Sequence, residues 1–220
     1  MTYALLFDFD GVLVDSTPAY RAAWSEWART YRANEAFIWA DAHGRRPDDI
    51  IRRVAPRVDF SEALLTFDLL LSAAILGRVT PLPGALALLR QLRDGEWAIV
   101  TSGRRRHVPA MLEHARLPSP AVLICGDDVT AGKPDPECFF RAAERLKVTA
   151  SRCIVIEDAP GGITAARAAV MTTVAVATTH RFDELSGADN IFTSLNEASG
   201  YLLAAVRDRG DSGTDRPGQI

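Results

Sequence analysis

Leu5-Leu6-Phe7-Asp8-Phe9-Asp10-Gly11-Val12-Leu13-Val14-Asp15-Ser16 is the stretch on which the reading of this chain turns. Its apolar start reads as a β-strand, and the strand runs out into two carboxylates separated by one residue. Side chains alternate across a strand, so positions two apart share a face. Asp8 and Asp10 therefore converge at the strand's C-terminal end, the edge where ligands bind in open α/β sheets. Like charges held that close need a cation or a proton between them. That requirement points to a divalent metal. A plainer reading is also open: one Asp ends a strand, the other starts a turn, and Gly11 supplies backbone freedom.

Outward from this segment the pattern changes twice. Pro18 suits the first turn of a helix capped by Ser16 or Thr17, and residues 19–32 read as an amphipathic helix rich in Trp and Ala. Helical patterns return over 47–54 and 61–76 with no convincing strand between, which makes 17–79 an all-helical insertion after the first strand. From Pro81 onward short apolar strands (97–100, 122–125, 153–156, 173–177) alternate with helices (from Pro83-Gly84 through Leu92, then 105–114, 136–146, 161–169). That alternation specifies an α/β fold, a mostly parallel sheet with helices on both faces. A closing helix is expected over 196–206. The polar, Gly- and Asp-rich stretch 207–220 has the composition of a disordered tail.

Bulk properties narrow the function. At 220 residues the chain holds one full-sized domain, or a core with a modest insertion. A hydrophobic content of 48% with 24% charged residues is that of a soluble globular protein. A formal net charge of -3 leaves no electrostatic footprint for nucleic acid or an anionic membrane. Cys125, Cys138 and Cys153 are odd in number and far apart, so they mark neither a disulfide framework nor a zinc site. The most apolar stretch, 63–76, is short and interrupted by Asp68, too little to span a bilayer. With no basic leader ahead of the first strand, a cytoplasmic location is expected.

The remaining polar clusters each follow a strand or enter a helix of the alternating region. Thr101-Ser102-Gly103 comes after 97–100; Lys133 lies in Gly132-Lys133-Pro134-Asp135-Pro136; Glu157-Asp158 follows 153–156. In a parallel sheet all strand C-termini share one edge, so these groups can meet Asp8 and Asp10 in a single crevice. The inventory suits phosphoryl transfer to a carboxylate. Aspartate is anionic at neutral pH and needs no activating base. Mg²⁺ and Lys133 would neutralise a phosphate dianion, with Asp8, Asp158 and the Asp10 carbonyl as oxygen ligands of the hard cation. Asp10 would protonate the leaving alkoxide, while Thr101, Ser102 and nearby N–H groups would hold phosphate oxygens. Taken singly, each cluster has an ordinary explanation as a cap, a solvated lysine or an acidic turn. Their appearance in order on one sheet edge is what separates the two readings.

Asp8-Phe9-Asp10-Gly11-Val12-Leu13-Val14-Asp15-Ser16, Val100-Thr101-Ser102-Gly103, Gly132-Lys133-Pro134-Asp135-Pro136-Glu137 and Ile156-Glu157-Asp158-Ala159-Pro160-Gly161-Gly162-Ile163 resemble the four motifs of the haloacid dehalogenase-like hydrolase superfamily. The resemblance implies a Rossmann-like core formed by 1–16 and 80–206 and a helical cap over 17–79. It also implies Asp8 as nucleophile, Asp10 as acid/base, Thr101 and Lys133 as phosphate-stabilising groups, and a Mg²⁺ held by Asp8, Asp10 and Asp158. Glu157 would act through a metal-bound water. Members that cleave carbon–halogen bonds lack the second Asp, so Asp10 favours a phosphatase or phosphomutase. Where relatives carry Gly after the last motif's helix this chain has Val170, which implies a different helix end.

The cap is expected to choose the leaving group. Its polar loop, Ala42-His43-Gly44-Arg45-Arg46-Pro47-Asp48-Asp49, is similar to the His-Gly-x-Arg region in the caps of glycerol-phosphate and 2-deoxyglucose-phosphate phosphatases. Glu96-Trp97 through Gly103 and Ala177-Thr178-Thr179-His180 resemble that branch too. His43, Gly44, Arg45 and Arg46, with Ser102 and Gly103, are the expected substrate contacts; a solvated helix-entry loop is the plain alternative. A mutase of the β-phosphoglucomutase type usually has Arg where this chain has Pro47, which weakens that reading. Arg104-Arg105-Arg106 read as a screened surface cluster, with attraction of an anionic substrate as the alternative; His107, His114 and His180 show no partner pattern, and Asp127 and Asp128 read as turn residues. The expectation is a Mg²⁺-dependent phosphatase of small phosphorylated sugars or polyols, a monomer or homodimer; a mutase, or an idle binding protein of the same fold, are its rivals.

Overall fold

The computed structural model describes residues 3–40 and 44–207. The first strand, β1 (Ala4–Phe7), is buried along its whole length and lies inside a six-stranded parallel sheet. Its neighbours are β4 (Trp97–Val100) and β6 (Cys153–Glu157); outside them lie β5 (Leu123–Ile124) on one side and β7 (Thr172–Val176) and β8 (Asn190–Phe192) on the other. Strands buried on both faces carry continuous apolar runs, which is why these segments show little alternation in sequence. Leu5 and Phe7 join a core with α6 (Val108–His114) and α9 (Leu195–Arg207). Leu6 points the other way, into a core with α7 (Glu137–Leu146) and α8 (Pro160–Ala168).

Between β1 and β4 the chain makes a helical excursion. It leaves through β2 (Val14–Asp15) and returns through β3 (Thr80–Pro81), and these two pair antiparallel, Val14 with Pro81 and Asp15 with Thr80. Both strands lie just outside 17–79, and among the described residues that stretch contains helices and no strand. The excursion contains α1 (Thr17–Tyr31), α2 (Glu35–Trp39), α3 (Pro47–Val54) and α4 (Phe60–Ile75), and α5 (Ala85–Leu89) follows the return. α1 and α4 are held face to face by aromatic packing: Trp24 stacks on Phe67 at 4.1 Å between centroids, and the Trp27 indole N–H donates to the Ala63 carbonyl at 2.8 Å.

Several elements depart from the sequence expectation for identifiable reasons. α2 is little more than one turn, begun by the Asn34 side chain accepting from the Ala36 N–H, and is too short to show a periodicity. β8 is three half-buried residues completing the sheet beyond β7, a pairing that only the tertiary fold dictates. Ser16 occupies the N-cap position of α1 but gives its hydroxyl to Asp10 rather than to the helix. Val170 takes the left-handed conformation (φ 58) that closes α8, with its N–H on the Arg167 carbonyl and that of Met171 on Ala166. The helix ends as it would with glycine, and a β-branched residue bears the strain. Residues 208–220, where a disordered tail was expected, lie outside the described residues; Arg207 ends α9.

Candidate active site

Strand register assembles the site. Phe7 is level with Ile99 on one side and Ile156 on the other, so the next residues, Asp8, Val100 and Glu157, leave the sheet at the same height. The Asp8 N–H still bonds the Ile156 carbonyl at 2.9 Å, which fixes the carboxylate at the rim. Lys133, from the loop ahead of α7, reaches across this rim. Its ammonium donates to Asp8 Oδ1 at 2.6 Å, Glu157 Oε1 at 2.6 Å and the Val100 carbonyl at 3.1 Å, which uses all three of its protons. The other Glu157 oxygen accepts the N–H groups of Asp158 and Ala159 (3.0 and 3.2 Å) at the entrance to α8.

Asp8, Glu157 and Asp158 present ligand oxygens within 4.8 Å of one another, all three residues buried. One ammonium opposes three carboxylates. Burial drives the Asp8 and Asp158 carboxyls above their ordinary range, and the Glu157 charge pushes both further, joined by that of Asp10 at Asp8 and that of Asp8 at Asp158. Burial would lower the Lys133 amine, but the Asp8 and Glu157 charges outweigh it and hold its pKa above the usual lysine value. An all-oxygen donor set with unbalanced negative charge fits a hard divalent cation. Gly11 makes the close approach possible: at φ +82, a Cβ there would fall 2.1 Å from Asp158 Oδ2.

The Asp10 carboxylate lies apart from that cluster. Oδ1 accepts the Ser16 hydroxyl and Oδ2 the Thr101 hydroxyl at 3.2 Å; Thr101 in turn accepts the Gly103 N–H at 2.9 Å. Burial raises the Asp10 pKa, and the Ser16 and Thr101 bonds only partly offset it. A cavity of about 70 Å³ joins the two halves, lined by Asp8, Asp10 and Asp158 on the sheet side and by residues of the helical excursion opposite.

The residues expected to contact substrate divide. Gly44, Arg45, Ser102 and Gly103 line this cavity, and Gly44 and Arg45 also line an adjoining one of about 390 Å³ that reaches Lys133, Thr164 and His180. The Ser102 hydroxyl, however, is turned to the Gly44 carbonyl at 2.7 Å and ties the sheet edge to the helical excursion. Arg46 lines neither cavity. It forms a bidentate pair with Asp49 and donates to the Val129 and Thr130 carbonyls at 3.0 and 3.2 Å, so its expected substrate contact is replaced by a clasp between layers. His43 lies outside the described residues.

The arginine run is also corrected. Arg106 and His107 hydrogen-bond the buried Asp68 of α4 at 2.8 and 2.9 Å, and Arg104 pairs with it at 3.3 Å; Arg105 pairs with Asp128 instead. Sequence reasoning missed Ser16, Thr17, Tyr20, Trp39 and Thr179, all of which line the inner cavity. The rule that strand ends carry chemistry also applies to the end of β7 and would have found Thr179, whose hydroxyl bonds Asp158. Trp39 leaves no comparable signal.

Residues 3–169 match the family model of haloacid dehalogenase-like hydrolases. This chain belongs to that family. The hydrolase is 35% identical to hexitol phosphatase A of Escherichia coli over 87% of its own length and 91% of that protein's. It is 31% identical to 2-deoxyglucose-6-phosphate phosphatase 1 of Saccharomyces cerevisiae, over 88% of each chain. Glycerol-1-phosphate phosphohydrolase 2 of the same yeast is 31% identical, over 83% of the hydrolase and 77% of the relative. Among solved structures, CbbY from Rhodobacter sphaeroides in complex with phosphate superimposes with a TM-score of 0.78 (23% identity, 90% and 96% covered). A β-phosphoglucomutase from Clostridium difficile gives 0.79 (21% identity, 94% and 98% covered). At such identities these two speak for the fold. Among the described residues, no helix of the hydrolase is long and apolar enough to cross a membrane.

Proposed function

We propose that this hydrolase is a Mg²⁺-dependent phosphatase of small phosphorylated sugars or polyols that works through an aspartyl-phosphate at Asp8. The observation that carries the reading is the pair of carboxylates in one cavity with different surroundings. Asp8 sits with the cation-seeking cluster and the Lys133 ammonium, Asp10 with two hydroxyl donors. Asp8, the Asp10 carbonyl and Asp158 would hold the metal, with Glu157 beside them; when bound, the cation supplies charge neutralisation for the incoming dianion.

An Asp8 oxygen attacks phosphorus and the ester P–O bond breaks. Asp10 gives its proton to the departing alkoxide, then takes one from the water that hydrolyses the acyl phosphate and regenerates Asp8. Lys133 balances charge on Asp8 and the phosphoryl group; the Thr101 hydroxyl orients Asp10. The helical excursion 17–79 acts as a cap that closes the leaving-group side. The polyol or sugar class rests on the relatives named above and on the hydroxyl and aromatic lining of the cavity.

The test is phosphate release from a panel of sugar and polyol phosphates with Mg²⁺ present. Wild type should release phosphate, whereas Asp8→Asn should lose activity by several orders of magnitude with its fold unchanged by circular dichroism. Substantial release by that variant removes Asp8 as nucleophile. Isomerisation of a hexose 1-phosphate without free phosphate would replace phosphatase by mutase.

A further inference from the structure

The phenol of Tyr20 has no assigned part in the chemistry above, yet it is built into the inner cavity. α1 begins at Thr17, so Ser16, Thr17 and Tyr20 stand on one face of its first turn, and all three line the cavity. The Tyr20 ring is fixed against Phe67, centroids 6.3 Å apart. Its oxygen lies 3.2 Å from the point where a Cβ on Gly103 would sit; Thr101 Oγ1 and Asp10 Oδ2 lie 3.2 and 3.6 Å from the same point. The phenol therefore faces the acid/base carboxylate across one small space, which the absence of a side chain at Gly103 keeps open. Among the described residues it has no hydrogen-bond partner. A fixed phenol O–H without a protein acceptor, beside the group that protonates the leaving oxygen, is placed to donate to the leaving group itself.

Resting on the phosphatase reading, we propose that Tyr20 is a specificity residue: it donates a hydrogen bond to an oxygen on the carbon next to the phosphorylated one. That oxygen is a hydroxyl in an open-chain polyol phosphate and the ring oxygen in a sugar 6-phosphate, and either accepts. Beyond it the chain of the leaving group passes Trp39, which lines both the inner and the adjoining cavity. The Trp39 indole N–H on Glu35 at 3.2 Å and the Arg21 guanidinium 4.8 Å from its ring hold it in place. Esters whose neighbouring carbon bears no oxygen leave the phenol unsatisfied and are selected against.

Two substrate pairs test this: glycerol 3-phosphate against 1,3-propanediol monophosphate, and glucitol 6-phosphate against its 5-deoxy analogue. Wild type should prefer the oxygenated member in kcat/KM, and Tyr20→Phe should reduce that preference about tenfold, the worth of one hydrogen bond. The variant keeps the ring on Phe67, and the ratio cancels any loss common to both substrates, including a fraction of misfolded enzyme. A ratio unchanged by the substitution, even with both rates lowered, overturns the proposal. So does the absence of preference in wild type, or hydrolysis of other esters with neither pair accepted. If wild type releases phosphate from no ester at all, the phosphatase reading itself falls.

Discussion

At the scale of single residues, two positions at opposite ends of α8 show how backbone and side chain trade roles. Gly162 lies against Glu157: a Cβ there would come within 1.8 Å of Oε1, the oxygen that holds Lys133. In an exposed helix, Gly→Ala stabilises by about 0.5–1 kcal/mol. Here the sign reverses, because Glu157 must move and take the Lys133 tether with it. Gly162→Ala should lower kcat/KM at least tenfold, whereas Gly161→Ala, with nothing within 4 Å of its Cβ, should melt no lower than wild type. Equal behaviour of the two variants in activity assays and thermal melts would remove this account of Gly162. Val170 is the converse case, an exposed β-branched residue at φ 58. Val170→Gly should stabilise by about 1 kcal/mol, the left-handed penalty less the entropy glycine restores to the unfolded chain, raising Tm by about 2–4 °C.

Among elements, the contact between α4 and the loop before α6 turns on one carboxylate. Burial alone would raise the Asp68 pKa, but the His107 and Arg106 hydrogen bonds and the Arg104 charge win and hold it below the ordinary range. A depressed carboxylate contributes stability above its unfolded pKa, about 3.9, and loses it as pH falls through the lower folded value. Asp68→Asn should therefore cost about 2–3 kcal/mol at neutral pH, less than a fully buried pair because Arg106 is half-exposed. In urea melts the gap between variant and wild type should close below about pH 4. A gap that does not change with pH would mean that Asp68 acts by packing alone. None of this was legible in the sequence. Asp68 reads as an interruption of an apolar helix and the arginines as surface charge, and only the docking of α4 on the core makes them partners.

For the whole molecule, the described fold gathers three buried carboxylates at the rim of its sheet and opposes them with the single ammonium of Lys133. Mg²⁺ should accordingly raise the melting temperature, by about 2.7 kcal/mol of stability at a hundredfold excess over Kd, and EDTA should reverse the shift. Asp158→Asn removes one of the competing carboxylates. In EDTA that variant should melt no lower than wild type, and its response to Mg²⁺ should vanish; a retained response in scanning calorimetry would exclude Asp158 as a ligand.

The candidate site at the rim follows from the amino-acid order itself. Alternation along β1 and the shared C-terminal edge of parallel strands are short-range and topological rules, so Asp8, Asp10, Thr101, Lys133, Glu157 and Asp158 could be grouped without coordinates. The residues of the helical excursion that face them could not. Whether Arg46 or Tyr20 enters the cavity depends on how α1 to α4 pack through Trp24, Trp27 and Phe67 and settle on the core. The rotation of a helix about its axis is decided by contacts far apart in sequence, and local pattern carries no record of it.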